Sequence, residues 1–435
     1  MRALSEFLFP SLGLFGALGL ALPLVVQPSA VKDIVITEDN TVNSTNIASV
    51  ETVSTVAASS LQISITNNNA GSGALTAYVT GNDVSGSVVF LSPSGSWYYP
   101  DAAGSTTPIQ VLDDVALELS GVGGTTTFTL PGYISAARIW VSEAPLEFFT
   151  VSSGGTTQLV EPSFVNPADP SATINWGFVE LTYNTDGIWA NLSFVDFVGL
   201  VMGMSLTLGS GEVQTRKGLK SGAIAGICSD LAAQSAIDGQ PWKDLCVTDE
   251  AGAPLRILAP NLYAGLSSGA FENYFSNYVD QVWSQYTSQD LTIDSQSSPG
   301  LVDCNISGDN LVCANDNRSY GKPNAQDIFG CNSGPFAIID GDNDVHKAVV
   351  PRLCAAFNRG TLLSDGGNIQ PSLSSDFYYL SSPNNHYSRI VHSYESDGLG
   401  YAFSYDDVNP DGENQAGLVA GADPQLLHIV VGGIS

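Results

Sequence analysis

The chain has 435 residues and a formal net charge of −29, from 14 Lys+Arg against 43 Asp+Glu, yet charged residues make up only 13% of it. That balance excludes a non-specific nucleic-acid binder, which needs basic groups to neutralise phosphates, and it disfavours attraction to an anionic membrane surface. A hydrophobic content of 43% with 9% aromatics excludes global disorder, and the length allows two to three domains or one large β domain with an insertion. A neutral polymer such as a polysaccharide is a compatible partner for such a surface.

Residues 1–30 read as a secretory signal peptide. Arg2 gives a basic start, an apolar run extends from Phe7 to Val26, and small residues at Gly19/Ala21 and Ser29/Ala30 offer cleavage sites. The mature protein is therefore expected outside the cell or in the cell wall, free of the membrane and monomeric. Residues 31–60, rich in Thr, Ser and Val, form a leader. From Leu61 the pattern is β: Leu61, Ile63 and Ile65 alternate with polar residues, and Val115/Leu117/Leu119, Phe128/Leu130 and Ile139/Val141 repeat the alternation between Gly- and Asn-rich turns. Short strands at regular spacing predict a sandwich or barrel.

All six cysteines lie between Cys228 and Cys354. This predicts a mainly β fold interrupted by a disulfide-bearing mixed α/β region, residues 218–385, with residues 61–217 and 386–435 forming the β-barrel or sandwich. Export permits disulfides, and six cysteines allow 15 pairings. Neighbours are expected to pair: 228–246, 304–313 and 331–354. Helical periodicity covers Leu219 to Ile237 and Gly269 to Thr287, where Phe271, Tyr274, Phe275, Tyr278, Val279, Val282, Trp283 and Tyr286 make one stripe, read as core. Gly265-Leu266-Ser267-Ser268-Gly269 matches a hydrolase-elbow pattern but follows a Pro260-Asn261 loop rather than a strand. No cysteine or histidine spacing fits a metal site, so no metal or cofactor is expected.

The most informative stretch runs from Trp176 to Leu206. Asp186-Gly187 signals a two-residue hairpin turn, which would pair Asn184 with Trp189, Thr182 with Asn191 and Glu180 with Ser193. Alternation then puts Phe178, Glu180, Thr182, Asn184, Trp189, Asn191 and Ser193 on one face. Val179, Leu181, Tyr183, Ile188, Ala190, Leu192 and Phe194 fall on the other, an apolar core face. A carboxylate, several hydrogen-bonding groups and one Trp on a single face suit a sugar, whose C–H face stacks on an indole; an ordinary solvated face is the competing reading. Asp196 lies in an apolar run, and strict alternation puts it on the core face. Two acids on one hairpin fit the glycosidase pattern of a proton donor and a water-activating base, provided a bulge or bend re-aims Asp196. Four sequons occur, at Asn43, Asn191, Asn305 and Asn317, and Asn191, on the sugar face, is expected to carry no glycan.

The segment Phe178 to Leu200, FVELTYNTDGIWANLSFVDFVGL, resembles glycoside hydrolase family 64. So do Asp238 to Trp242 (DGQPW), Asp327 to Pro335 (DIFGCNSGP), Val350 to Asn358 (VPRLCAAFN), His386 to Ile390 (HYSRI) and Tyr401 to Asn409 with Asn414 to Gly417. The resemblance runs from about residue 60 to the end. It implies a secreted, laminaripentaose-producing β-1,3-glucanase with a thaumatin-like fold, a glucan groove between its two parts, and inversion of the anomeric centre. It assigns Glu180 as general acid and Asp196 as general base. Thr182, Asn184, Trp189 and Ser193, the last in place of a family Thr, become sugar contacts. The alternative is a thaumatin-like protein that binds β-1,3-glucan without cleaving it.

Overall fold

The computed structural model describes residues 60–69 and 73–434. The signal peptide, the Asn43 sequon and all of the leader except its last residue lie outside the described residues.

Among the described residues, two large sheets dominate the β part. The first has five strands in the order Val213–Arg216, Met202–Leu208, Pro424–Val431, Leu61–Asn67 and Thr125–Leu130. Pro424–Val431 runs parallel to Leu61–Asn67 and antiparallel to Met202–Leu208, so the last strand of the chain is held between two early ones. The second has Leu418–Gly421, Gly187–Asn191, Trp176–Asn184, Ile134–Ser142, Thr76–Asn82, Val88–Leu91 and Trp97–Tyr98 in that order, and Leu117–Glu118 also pairs with Thr76–Asn82. The inward side chains of both sheets share one core. Leu61, Ile63 and Ile65 from the first meet Ile139, Val141 and all seven residues expected on the hairpin's apolar face.

The second sheet is covered on its other face as well. Tyr78, Trp140 and Phe178 are cross-strand partners in one row, and with Phe90, Trp176, Phe148 and Phe197 they form a separate aromatic cluster. Trp140 lies 5.2 Å from Phe178 and 5.6 Å from Phe148, both edge-on, the arrangement that ring quadrupoles favour. A sheet buried on both faces leaves little room for polar residues, so each one that remains in it needs a reason.

Helices and short strands fill residues 218–394. Helix Ala223–Asp238 ends at Gly239, whose left-handed φ of 73° closes the C-terminus. The expected second helix is shorter, Ser276–Gln285, because Phe271 takes a positive φ of 58° and the chain turns until Phe275. Its stripe is core: Phe271, Phe275, Tyr278, Val279, Val282, Trp283 and Tyr286 join the same cluster as the sandwich interior. Ser267 follows helix Pro260–Leu266, so it sits at a helix end and not on a strand-to-helix elbow. The disulfides are Cys228–Cys246, Cys304–Cys313 and Cys331–Cys354, the neighbour pairing. Helix His386–Tyr394 packs on Ala223–Asp238, where Arg389 donates to Gln234 at 3.1 Å and the Tyr394 hydroxyl donates to Asp230 at 3.0 Å.

Candidate active site

The Trp176–Asn184 and Gly187–Asn191 strands form the expected hairpin with a different register. Asn184 pairs with Gly187, Thr182 with Trp189 and Glu180 with Asn191, two residues from the expected alignment. The turn is Thr185-Asp186, closed by the Asn184 side chain, whose Oδ1 accepts from the Asp186 N–H at 2.8 Å. A two-residue slip keeps every side chain on its predicted face, so the face assignment survives the wrong turn. Gly187 is needed for another reason. Its φ is 136°, and a Cβ there would lie 2.2 Å from the Gly421 carbonyl oxygen. Gly187→Ala is expected to push the Leu418–Gly421 strand away and to destabilise the protein by about 2–3 kcal/mol, measured by chemical denaturation; an unchanged midpoint would contradict the close approach.

The face carrying Glu180 is not solvated. Glu180 is 2% exposed, Trp189 6%, and Thr182 and Asn191 are also buried, while Asn184 and Ser193 at the two ends are half-buried. Leu418 and Ala420 pack against Trp189. Across the sheet, Thr80, Arg138, Glu180 and Asn191 stand opposite one another in one polar row. Arg138 donates from Nη2 to Glu180 at 3.0 Å and from Nη1 to Glu161 at 2.7 Å. Asn191 also hydrogen-bonds Glu180. Beside Thr182 the neighbouring strand carries a β-bulge: Leu181 faces Ala137 but Tyr183 faces Ile134, and Ala136 within the bulge has a φ of 46°.

Asp196 is 3% exposed and lies outside this sheet. The strand ends at Asn191; Ser193 bridges to Tyr401, and the chain bends at Val195-Asp196. It then enters a three-stranded sheet through Phe197–Val198, which pairs with Ile257 and Leu258. The Asp196 carbonyl accepts from Ala259 N–H at 2.9 Å. Alternation along the hairpin therefore ceases to govern Asp196. Its carboxyl comes within the fields of Arg138, Glu180 and Glu161.

Burial raises the Glu180 carboxyl above its ordinary value, and Arg138 and the Asn191 hydrogen bond pull part of that back. Asp196 is pushed well above the ordinary aspartate value by burial first; Arg138 opposes this, and Glu180 and Glu161 add to it. Among the described residues, Asp196 Oδ1, Thr182 Oγ1, Trp189 Nε1 and Asn191 Oδ1 are buried without a protein partner. Trp176 Nε1 on the same hairpin is unmatched too; a buried polar atom left so costs about 1–3 kcal/mol, a cost that the folding of these two strands does not repay.

Of the residues singled out in the sequence, Glu180, Thr182, Trp189 and Asn191 stand together on adjacent strands, Asn184 and Ser193 flank them, and Asp196 joins from the bend. Two residues were not foreseen. Arg138 was visible in principle as a lone charge inside the apolar run Ala136 to Val141. Glu161 was not, since it follows strand Thr156–Val160 of a separate three-stranded sheet.

The β-1,3-glucanase model of glycoside hydrolase family 64 matches residues 59–431. A glucan endo-1,3-beta-glucosidase from Cellulosimicrobium cellulans is 26% identical over 302 residues, which is 68% of this chain and 52% of that protein. One of the same name from Arthrobacter sp. (strain YCWD3) is 27% identical with the same coverage, so the chain spans about half the length of the curated relatives it matches. The crystal structure of a laminaripentaose-producing beta-1,3-glucanase in complex with laminaritetraose aligns at 27% identity with a TM-score of 0.76, covering 86% of this chain and 99% of that one. The match over the sandwich, the helical region and the hairpin together shows that the chain belongs to glycoside hydrolase family 64, the β-1,3-glucanases.

Proposed function

We propose that the protein is a secreted endo-β-1,3-glucanase that releases short oligosaccharides of the laminaripentaose type by an inverting, two-carboxyl mechanism without a cofactor. The sandwich and the helical region would form a thaumatin-like pair of units, residues 61–217 with 386–435 and residues 218–385, with a glucan groove between them. The observation that carries this reading is the buried Glu180–Arg138 ion pair, with Asp196 within the fields of both and unmatched polar atoms on Thr182, Trp189, Asn191 and Asp196. The unmatched groups of Thr182, Trp189 and Asn191 are of the types that bind sugar hydroxyls, and Asn184, whose Oδ1 closes the turn, keeps its amide N–H₂ for the same use.

Glu180, protonated, donates to the glycosidic oxygen, and Asp196, ionised, takes a proton from the attacking water. Burial and the Glu180 charge both raise the Asp196 carboxyl, so ionising the two acids together is disfavoured. One observation favours the reverse assignment. Arg138 and Asn191 stabilise an ionised Glu180, whereas Asp196 Oδ1 has no donor. Aryl β-laminariosides decide between the two, because a good leaving group needs no acid. The family-derived assignment expects Glu180→Gln to retain turnover of the aryl substrate and Asp196→Asn to lose it; the opposite pattern would exchange the roles.

The first experiment follows linear β-1,3-glucan by NMR. Short products with initially α-anomeric ends are expected. Binding without any product would instead identify a non-catalytic glucan-binding member of the fold.

A further inference from the structure

Arg138 is one of 14 basic residues set against 43 acidic ones, yet it is 2% exposed. The register of its strand places it opposite Glu180. The guanidinium lies 4.3 Å from the Phe178 ring centroid and 5.4 Å from that of Trp140, so its orientation is fixed by the aromatic row beneath it. Its two terminal nitrogens are divided between two acids: Nη2 serves Glu180 and Nη1 serves Glu161. These partners have different origins. Glu180 belongs to the adjacent strand, whereas Glu161 arrives from the end of a strand in another sheet.

We propose that Arg138 is a positioning residue that holds Glu180 in its reacting orientation, and that Glu161 tunes this hold by competing for the same guanidinium. The proposal rests on the reading of Glu180 as a reacting carboxyl. One buried cation cannot neutralise three nearby acids, so charge drawn toward Glu161 is withdrawn from Glu180 and Asp196. Burial works against the Arg138 charge, and Glu161, Glu180 and Asp196 together keep it charged. The groups that face Glu180 are Arg138 and Asn191 from the two flanking strands, Asp196 from the bend, Glu161 behind Arg138, and Tyr401 from the segment that bridges to Ser193. Arg138 is the only cation among them, so the strength of its bond to Glu161 sets how Glu180 and Asp196 divide a proton.

The test is a ¹³C carboxyl titration by NMR on the full chain, with the Glu180 resonance identified by its loss in Glu180→Gln. Glu161→Gln is expected to lower the Glu180 titration midpoint by about one unit, and Arg138→Met to raise it by at least as much. In the Arg138→Met background, Glu161→Gln should shift Glu180 by less than half as much, because the route through the guanidinium is gone. Two shifts of opposite sign are not produced by general loosening of the site. Should Arg138→Met not fold, Glu161→Gln alone decides: an unmoved or raised midpoint overturns the proposal. The limb of the kcat/KM profile governed by Glu180 must move with the midpoint. A protein whose Glu180 shifts as expected but cleaves no glucan sinks the glucanase reading and leaves the shared guanidinium standing; an active enzyme whose Glu180 is unmoved in Glu161→Gln sinks this proposal alone.

Discussion

Glu180→Gln is expected to reduce release of soluble sugar from β-1,3-glucan by about 10²–10⁴-fold, the range a positioned acid or base contributes, while glucan binding stays close to wild type. The separation of the two effects follows from the local geometry. The amide is isosteric with the carboxyl, its oxygen can accept from Arg138 Nη2, and Arg138 keeps Glu161 at 2.7 Å as its charged partner. The aromatic row and the hairpin register are untouched, so Asn184, Ser193, Trp189 and Thr182, the proposed sugar contacts, keep their places. The substitution also removes one of the charges that raise the Asp196 carboxyl, so Asp196 should ionise at lower pH than in the wild type. Product size analysis with parallel sedimentation on insoluble glucan measures both quantities. A fully active Gln variant would refute a reacting role for Glu180 in either assignment, and loss of binding together with activity would make Glu180 a sugar-holding group.

The sequence was most legible where one physical rule acted alone. Alternation along the hairpin assigns Val179, Leu181, Tyr183, Ile188, Ala190, Leu192 and Phe194 to the core face correctly, because period-two geometry holds for as long as the chain stays in one sheet. It failed at Asp196, where the chain leaves that sheet through a bend and starts pairing with Leu258. The Asp186-Gly187 signal points to the wrong pair of turn residues because the constraint on Gly187 comes from Gly421, more than 200 positions away. Chemistry shared across sheets was the least legible. Glu161 meets Arg138 only because a small sheet covers the outer face of the larger one, and no local pattern encodes that meeting. The burial of the sugar-type face is of the same kind: Leu418 and Ala420, which cover Trp189, come from near the end of the chain.

His392→Ala is expected to destabilise the protein by about 3–5 kcal/mol at pH 6, because it strips the shared counterion from two buried carboxylates. His392 Nδ1 lies 2.7 Å from Glu395, and Nε2 lies 2.8 Å from Asp406. Arg359 donates to the other Asp406 oxygen at 3.0 Å and to the Val408 carbonyl, and the Ala402 N–H donates to Asp406 at 2.9 Å. The cluster thus ties the end of helix Asp344–Arg359, helix His386–Tyr394 and the segment from Tyr401 to Asn409 into one unit. That segment backs the candidate site, since the Tyr401 carbonyl accepts from Phe194 N–H at 2.7 Å and Ser193 bridges to Tyr401. Burial alone would push the imidazolium down; Asp406 and Glu395 outweigh it and hold His392 well above its ordinary value. A raised histidine contributes stability that is complete below about pH 6.5 and is lost as pH rises through the folded value. Burial would raise Asp406, but His392 and then Arg359 hold it low, so its contribution is present above about pH 4 and is lost in stronger acid. Glu395, Glu180 and Asp196, all raised chiefly by burial, stabilise the fold most below their unfolded values and progressively less above them. Together these groups contribute most to stability at about pH 4, and the melting temperature is expected to be lower at pH 8 than at pH 5. Thermal unfolding across pH 3–9 checks both statements. A His392→Ala loss below about 1 kcal/mol would mean that Arg359 alone satisfies Asp406 and that Glu395 is held protonated, which removes the imidazolium as the tie behind Ser193.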